Sequence, residues 1–544
     1  VILSGVALLE NDHPRLQSSR VFQESIMPRR VRGVVAAGHS QTAEAAAEIL
    51  RAGGNAFDAA VAGVLVACVA ESVLTSAAGG GFLLAHTQAG ENILFDFFTQ
   101  TPGQKTPPQA LDFYPIEANF GDVVQEFHIG LASMAVPGTM GGLMQVHQRL
   151  GCLPLQVVVE PAMALARQGV VVSPFQAYCY ELLAPILTAT PEGRAMYAPH
   201  GTLLQPGDLL RMPDFANTLE YLVREGPAEF YRGVIAHQLA QDCQTHGGHL
   251  SLADLQRYQV LERRPLSLQY RGSTILTNPP PSSGGALIAF ALALLNKVDL
   301  GRFSPGSPAH LHTLSQAMRL TNAARRDGYD ANLYEASILD RFLGDPHLTP
   351  YRQALTGIVN KWGSTTHISV LDEDGNAASA TTSNGEGSSY VIPGTAIMVN
   401  NMLGEEDLNP HGFHQWCPNQ RISSMMAPTL ILKQGRPQLV LGSGGSNRIR
   451  TAILQVISNI LDFGMLPAAA VAAPRIHWEN HRFHLEPGFD RAQLEQQAIF
   501  EGDQPVWWQQ QNMFFGGVHA VARGDQGEFY GAGDSRRCGA IALA

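Results

Sequence analysis

Three stretches of this sequence carry residues with the means to do chemistry. Gly363-Ser364-Thr365-Thr366-His367 opens an alternating, strand-like segment. Ser383-Asn384-Gly385-Glu386-Gly387-Ser388-Ser389 is a polar loop at the end of the next strand. Gly442-Ser443-Gly444-Gly445-Ser446 stands between a strand and a helix. Asp374-Gly375 is a hairpin turn joining the first two strands, so the polar loop can return toward the threonines. Successive backbone N–H groups in the glycine turn can bind an oxyanion. Each stretch also has an ordinary reading. Threonine is a common strand former, and a glycine-rich turn before a helix is usually only a turn.

Other catalytic signatures fail. No GxxxxGK[ST] occurs, and no GxGxxG opens a helix after a strand, which argues against a phosphate cradle. GxSxG and HExxH are also missing. His477, His481 and His484 form the densest histidine group, and they read as surface strand residues rather than metal ligands. Nothing calls for a cofactor.

The elements that must position these residues are legible. Val34–Ala37 predicts a strand, and Ser40 or Thr42 a cap for the helix that ends before Gly53-Gly54. Ala56–Ala70 predicts a second helix, followed by strands at Phe82–His86 and Ile93–Phe97. Gly141–Leu150, Pro161–Gln168 and His310–Arg326 have helical period, and Pro279–Gly285 leads into a buried helix at Ala286. Short strands follow at 365–371, 377–382, 396–399, 429–432 and 438–441, with a helix over Arg448–Leu461. Strand, two helices and hairpin in that order suggest mixed α/β structure with a largely antiparallel sheet.

Composition bounds the rest. The 544 residues are 45% hydrophobic and 15% charged, which excludes a disordered chain. The net charge of −11, with no basic run, argues against nucleic acid or an anionic membrane as partner. The longest apolar runs, Ala59–Ala70 and Ala286–Leu295, are too short to span a bilayer. The six cysteines are scattered without a CxxC pair, and no signal peptide is read at the N-terminus. Both favour a reducing, cytoplasmic setting. Length alone would suggest about three domains.

Several blocks together resemble the γ-glutamyltransferase (glutathione hydrolase) family of N-terminal nucleophile hydrolases. They are AEILRAGGNAFDAAVA (Ala47–Ala62) with Gly79-Gly80-Gly81-Phe82, AVPGT (Ala135–Thr139), LPLQVVVEPAMALARQG (Leu153–Gly169), NPPPSSGG (Asn278–Gly285), FLGDP (Phe342–Pro346), STTHISVLDEDGNA (Ser364–Ala377), APTLIL, GSGGSNRI, APRIH and GEFYGAGDSR (Gly527–Arg536). The resemblance runs from about Val34 to the end. It implies an α+β fold, a four-layer αββα sandwich made as an inactive precursor that cleaves itself before Thr365. An N-terminal arm (1–33), a large segment (34–364) and a small segment (365–544) would form one intertwined fold.

The implied chemistry is consistent with the failed search for a triad. A hydroxyl alone is a weak nucleophile. An α-amino group titrates near pH ~8 and serves as its base, so a free N-terminal Thr365 supplies both groups. By position, Ser383 would hydrogen-bond the nucleophile. Gly444 and Gly445, or Gly445 and Ser446, would form the oxyanion hole. Asn384 would contact the amino-acid end of the substrate, and Ser423 with Ser424 would match a serine pair, with Met425 the alternative second member. The implied partners are a small-molecule amide, water or an amine acceptor, and the two segments of one precursor, with a homo-oligomer allowed.

The substrate clamp departs from the family pattern. Phe98 stands where an arginine would grip the α-carboxylate of a γ-glutamyl group. Glu405 stands where an aspartate would take the α-amino group, with Glu406 and Asp407 beside it, and Met402 replaces a glutamine. Two acyl readings follow: γ-glutamyl amides such as glutathione, or a different small amide, as in amidohydrolase or acylase relatives.

Overall fold

The computed structural model describes residues 31–119, 124–353, 365–409, 411–497, 499–500 and 502–544. Most of the expected N-terminal arm, with Arg29 and Arg30, and Gly363-Ser364 before the expected scission point lie outside the described residues.

The elements that build the centre are, in chain order, β1 (Gly33–Ala37), α1 (Ser40–Arg51), α2 (Ala56–Ala70), β2 (Gly80–His86), β3 (Asn92–Phe97), β4 (Leu261–Arg263), β5 (Leu266–Tyr270) and β6 (Ser273–Thr277). Then come α3 (Ser283–Leu295), α4 (Pro308–Ala324), β7 (Thr366–Asp372), β8 (Ala377–Ser383), β9 (Thr429–Lys433), β10 (Arg436–Gly444), α5 (Arg448–Leu461), β11 (Gly517–Arg523), β12 (Phe529–Ala532) and β13 (Ala540–Leu543). One sheet has the order β13-β1-β7-β8-β2-β3-β4, the other β12-β11-β10-β9-β6-β5. Every neighbouring pair in both is antiparallel. Helices α1 and α2 cover the outer face of the first sheet, and α5 with α3 covers the second. This is an α+β sandwich of four layers, αββα.

Small residues let the layers approach. All of α2 is buried, and a Cβ at Gly63 would stand 3.2 Å from Ile368 of β7. Its start is fixed by Asn55, which caps Phe57 and Asp58 while Asp58 returns a bond to the Asn55 N–H. The two sheets meet through β8, whose sequence AASATTS has no bulky side chain. Ser379 Oγ donates to Leu441 O (3.0 Å) and accepts from Thr429 N (3.1 Å), so it ties β8 to β10 and β9. His367 is buried between the sheets and satisfied by Thr381 (2.8 Å) and Ser369 (2.9 Å). Gly442 makes room for it, since a Cβ there would run into the imidazole ring.

Several local expectations need correction. The cap of α1 is His39, whose Nδ1 accepts from Gln41 N at 3.2 Å. Ser40 is already helical, and Thr42 turns inward to Glu71. The helix expected from Pro161 begins at Leu155, with Pro161 inside it. Helix α3 starts at Ser283, three residues before Ala286. Helix α4 stops at Ala324, because Asp327 and Gly328 (φ +96°) leave the helical region. The strand expected at 396–399 is only Ile397–Met398. His477 and His484 are not on the surface. Both are buried, with His477 between Thr451 (2.9 Å) and Glu479 (3.0 Å). Among the described residues no group of His, Cys, Asp and Glu could hold a metal ion.

Candidate active site

Strand register brings the two hydroxyl-rich stretches together. In the β7–β8 hairpin Thr366 pairs with Thr382, so the next step sets Thr365 opposite Ser383 at the open end. The hairpin is central in its sheet, and both residues are buried apart from one face on a cleft. The glycine turn arrives from the second sheet. It is shorter than the sequence suggests, because β10 runs through Gly444 before Gly445 (φ +119°) turns the chain into α5. Gly444 packs directly on residue 365, where a Cβ would strike the Thr365 carbonyl oxygen. That oxygen also accepts from Arg537 Nη1 at 3.2 Å. Thr365, Ser383 and the glycines therefore meet where the two sheets come together.

The cleft is small, with a cavity volume of about 80 Å³. Its walls include Thr365, Ser383, Phe98, Glu405, Ser423 and Ser424 from the sequence reading. Gly444, Gly445 and Asn384 are not on the lining. The two glycines lie behind Thr365, and Asn384 is buried beside Gly385, its carbonyl accepting from Asn401 N at 3.3 Å. The serine pair is held from below by the start of α3. Ser283 N donates to Ser424 O (2.7 Å), and the Ser283 and Ser423 hydroxyls lie 3.3 Å apart. Ser424 Oγ accepts from Met426 N at 3.1 Å.

Phe98 is buried and stacks on Phe82, with ring centroids 5.4 Å apart. A guanidinium lies nearby, yet it faces away from the cleft. Arg421 donates to Phe98 O, Tyr258 Oη (2.8 Å) and Gln259 O (2.7 Å), and it pairs with Asp96 at 3.4 Å. Glu405 is buried, and its Oε1 accepts from Glu386 N at 3.2 Å. Burial first, then the charges of Glu386 and Asp407, raise its carboxyl well above the usual carboxylate range. Burial also pushes Asp407 up to about 6, opposed by the Ser446 hydroxyl that donates to it at 2.8 Å.

Ser446, the alternative oxyanion residue, is on the wall, whereas the sequence reading missed Arg325, Asp330, Leu333, Ser283 and Asn447. Arg325 is the one basic side chain among the described lining residues. Its Nε donates to both oxygens of Asp330, at 2.8 and 3.0 Å. The only available signal was the ArgArgAspGly run, whose glycine allows the turn that ends α4 beside the cleft.

Comparison with known proteins agrees with this geometry. The profile of the family described as Gamma-glutamyltranspeptidase matches residues 42–544. The chain belongs to this family. It is 34% identical to the Acylase ACY 1 proenzyme of Pseudomonas sp. (strain SE83), over 92% of this chain and 91% of the relative. It is 31% identical to the Glutathione hydrolase proenzyme of Escherichia coli (strain K12), over 93% and 91%. Among solved structures, cephalosporin acylase from Bacillus halodurans superposes with a TM-score of 0.82 at 25% identity, covering 99% of both chains. Helicobacter pylori gamma-glutamyltranspeptidase gives 0.54 at 27% identity, over 62% of this chain and 95% of that one. The fold of this enzyme family and its hydrolase character thus extend to this chain.

Proposed function

We propose that this family member is a self-processed amidohydrolase with Thr365 as nucleophile, acting on a small amide whose acyl group is not γ-glutamyl. The observation that carries the catalytic part is the placement of Thr365 opposite Ser383 on one cleft, with Gly444 packed behind the Thr365 carbonyl. Scission before Thr365 would divide the chain into residues 1–364 and 365–544 and free the α-amino group. Relatives named as proenzymes support such processing.

In the proposed cycle the Thr365 hydroxyl attacks the amide carbon as its proton passes to the α-amino group. Backbone N–H groups of the turn at Gly445 and Ser446, the latter on the cleft wall, would hold the oxyanion, and Ser383 would hold the nucleophile by a hydrogen bond. The amine leaves with the proton, and the acyl group remains as an ester of Thr365. Water, or an amine acceptor, then attacks the ester.

Phe98, Met402, Met425 and Met426 support the acyl assignment, since they make the wall apolar where a charged clamp would stand. The acylase names among the relatives point the same way. One observation favours the γ-glutamyl reading: Arg325 and Asp407 on the same lining offer opposite charges for an amino-acid end. A set of p-nitroanilides sharing one leaving group separates the two. The set comprises the γ-glutamyl anilide, the same chain without its α-amino group, and a short uncharged acyl anilide. Faster turnover of either compound lacking the amino group supports our assignment. Preference for the γ-glutamyl anilide would replace it with the second reading.

A further inference from the structure

Behind the cleft lies a buried acid that the acyl-transfer steps leave unused. Glu71 ends α2 and is 4% exposed. Its Oε1 accepts from Thr42 Oγ1 of α1 at 3.0 Å, and its Oε2 from Thr366 Oγ1 of β7 at 2.5 Å. Thr366 directly follows Thr365. At the same peptide unit, Arg537 Nη1 donates to Thr365 O at 3.2 Å. The first peptide of β7 is thus held by a carboxylate through its residue 366 side chain and by a guanidinium through its carbonyl. Gly38 leaves the space for this arrangement, since a Cβ there would run into both the Glu71 carboxylate and the Thr366 hydroxyl.

A carboxylate in this position is costly to bury. Burial pushes Glu71 up to about 7, against the two threonine hydroxyls and the Arg537 charge. The other titratable groups facing it are Cys68 on its own helix and Cys538 after the turn that carries Arg537; burial first, and then Glu71, raises both thiols. A purely structural acceptor for two hydroxyls needs no charge. Here the charge sits one residue from the group that would become the α-amino terminus.

We propose that Glu71 is a positioning residue for Thr365: through Thr366 it fixes the first peptide of β7, and its charge raises the proton affinity of the Thr365 α-amino group. This rests on the reading of Thr365 as an N-terminal nucleophile. A nearby negative charge favours the ammonium form, so the amine becomes a stronger base for the hydroxyl proton.

The test is competitive labelling of the processed protein with acetic anhydride from pH 5 to 10. Acetylation of the Thr365 terminus is read by mass spectrometry, alongside the pH profile of kcat/KM for the anilide cleaved fastest in the set above. E71Q keeps an acceptor and removes the charge. It should lower the inflection of both curves by about half a pH unit or more. T366V, which removes the linking hydroxyl at nearly constant shape, should move them in the same direction and carries the test if E71Q does not fold. A reduced kcat with unmoved inflections in the folded variant would overturn the proposal, leaving Glu71 a structural group. T365A separates the two levels. If it still hydrolyses amides, the nucleophile reading itself falls. If it is inactive while the inflections stay in place, only the role of Glu71 falls.

Discussion

At the scale of single residues, close approach decides what can be changed. The backbone of Gly444 abuts the Thr365 carbonyl oxygen, so G444A should displace the nucleophile or the oxyanion donors and lower kcat at least about 100-fold. Anilide kinetics on folded protein would measure it. Phe98 faces the cleft while Arg421 is committed behind it, so F98R should raise γ-glutamyl turnover relative to the other anilides. Unchanged ratios would mean that this position does not read the acyl group. Glu71 also makes a stability prediction. Its folded pKa, about 7, lies above the ordinary value of 4.5, so the folded state holds the proton more tightly. Stability associated with it is therefore fully present below pH 4.5 and is lost as pH rises through 7. In a T365A background, E71Q should gain on its parent between pH 5 and 8, by up to roughly 3 kcal/mol, in denaturation midpoints. The nucleophile candidate, the second hydroxyl and the glycine pair were legible because each sits in a short run of unusual composition. Arg325 was not, since an arginine late in an amphipathic helix looks like any solvated side chain until the helix is seen to end at Ala324.

Elements position these residues through register and small side chains. The hairpin at Asp374-Gly375 could be read from sequence, and it sets Thr365 against Ser383 without any long-range inference. Helix α2 was legible to the residue because Asn55 and Asp58 mark its start. The burial of His477 and His484 was not. Their paired strands, Ile476–Glu479 and Arg482–Leu485, meet α5 and the Phe514 ring, partners that no local period reveals. Nothing in the sequence singled out Arg421, which joins the end of β3 to the segment before β4 through Phe98, Tyr258 and Gln259. R421M should cost roughly 3 kcal/mol, because it leaves buried carbonyls and part of the Asp96 charge without a partner. A lowered thermal midpoint with altered acyl preference would be the signature, since Phe98 is what this arginine holds in place.

At the scale of the whole molecule, length suggested several domains, whereas the described residues build one sandwich. Strands from both ends of the chain share a sheet: β1 lies between β13 and β7. Cutting before Thr365 would therefore leave two pieces that cannot separate without dismantling the sheet. The most direct test of the account is the N-terminal sequence of the smaller fragment from active protein on a denaturing gel. The account predicts two bands, the smaller of 180 residues (544 − 364) beginning Thr-Thr-His-Ile, and a single inactive band for T365A. A single uncleaved band from fully active protein would contradict it.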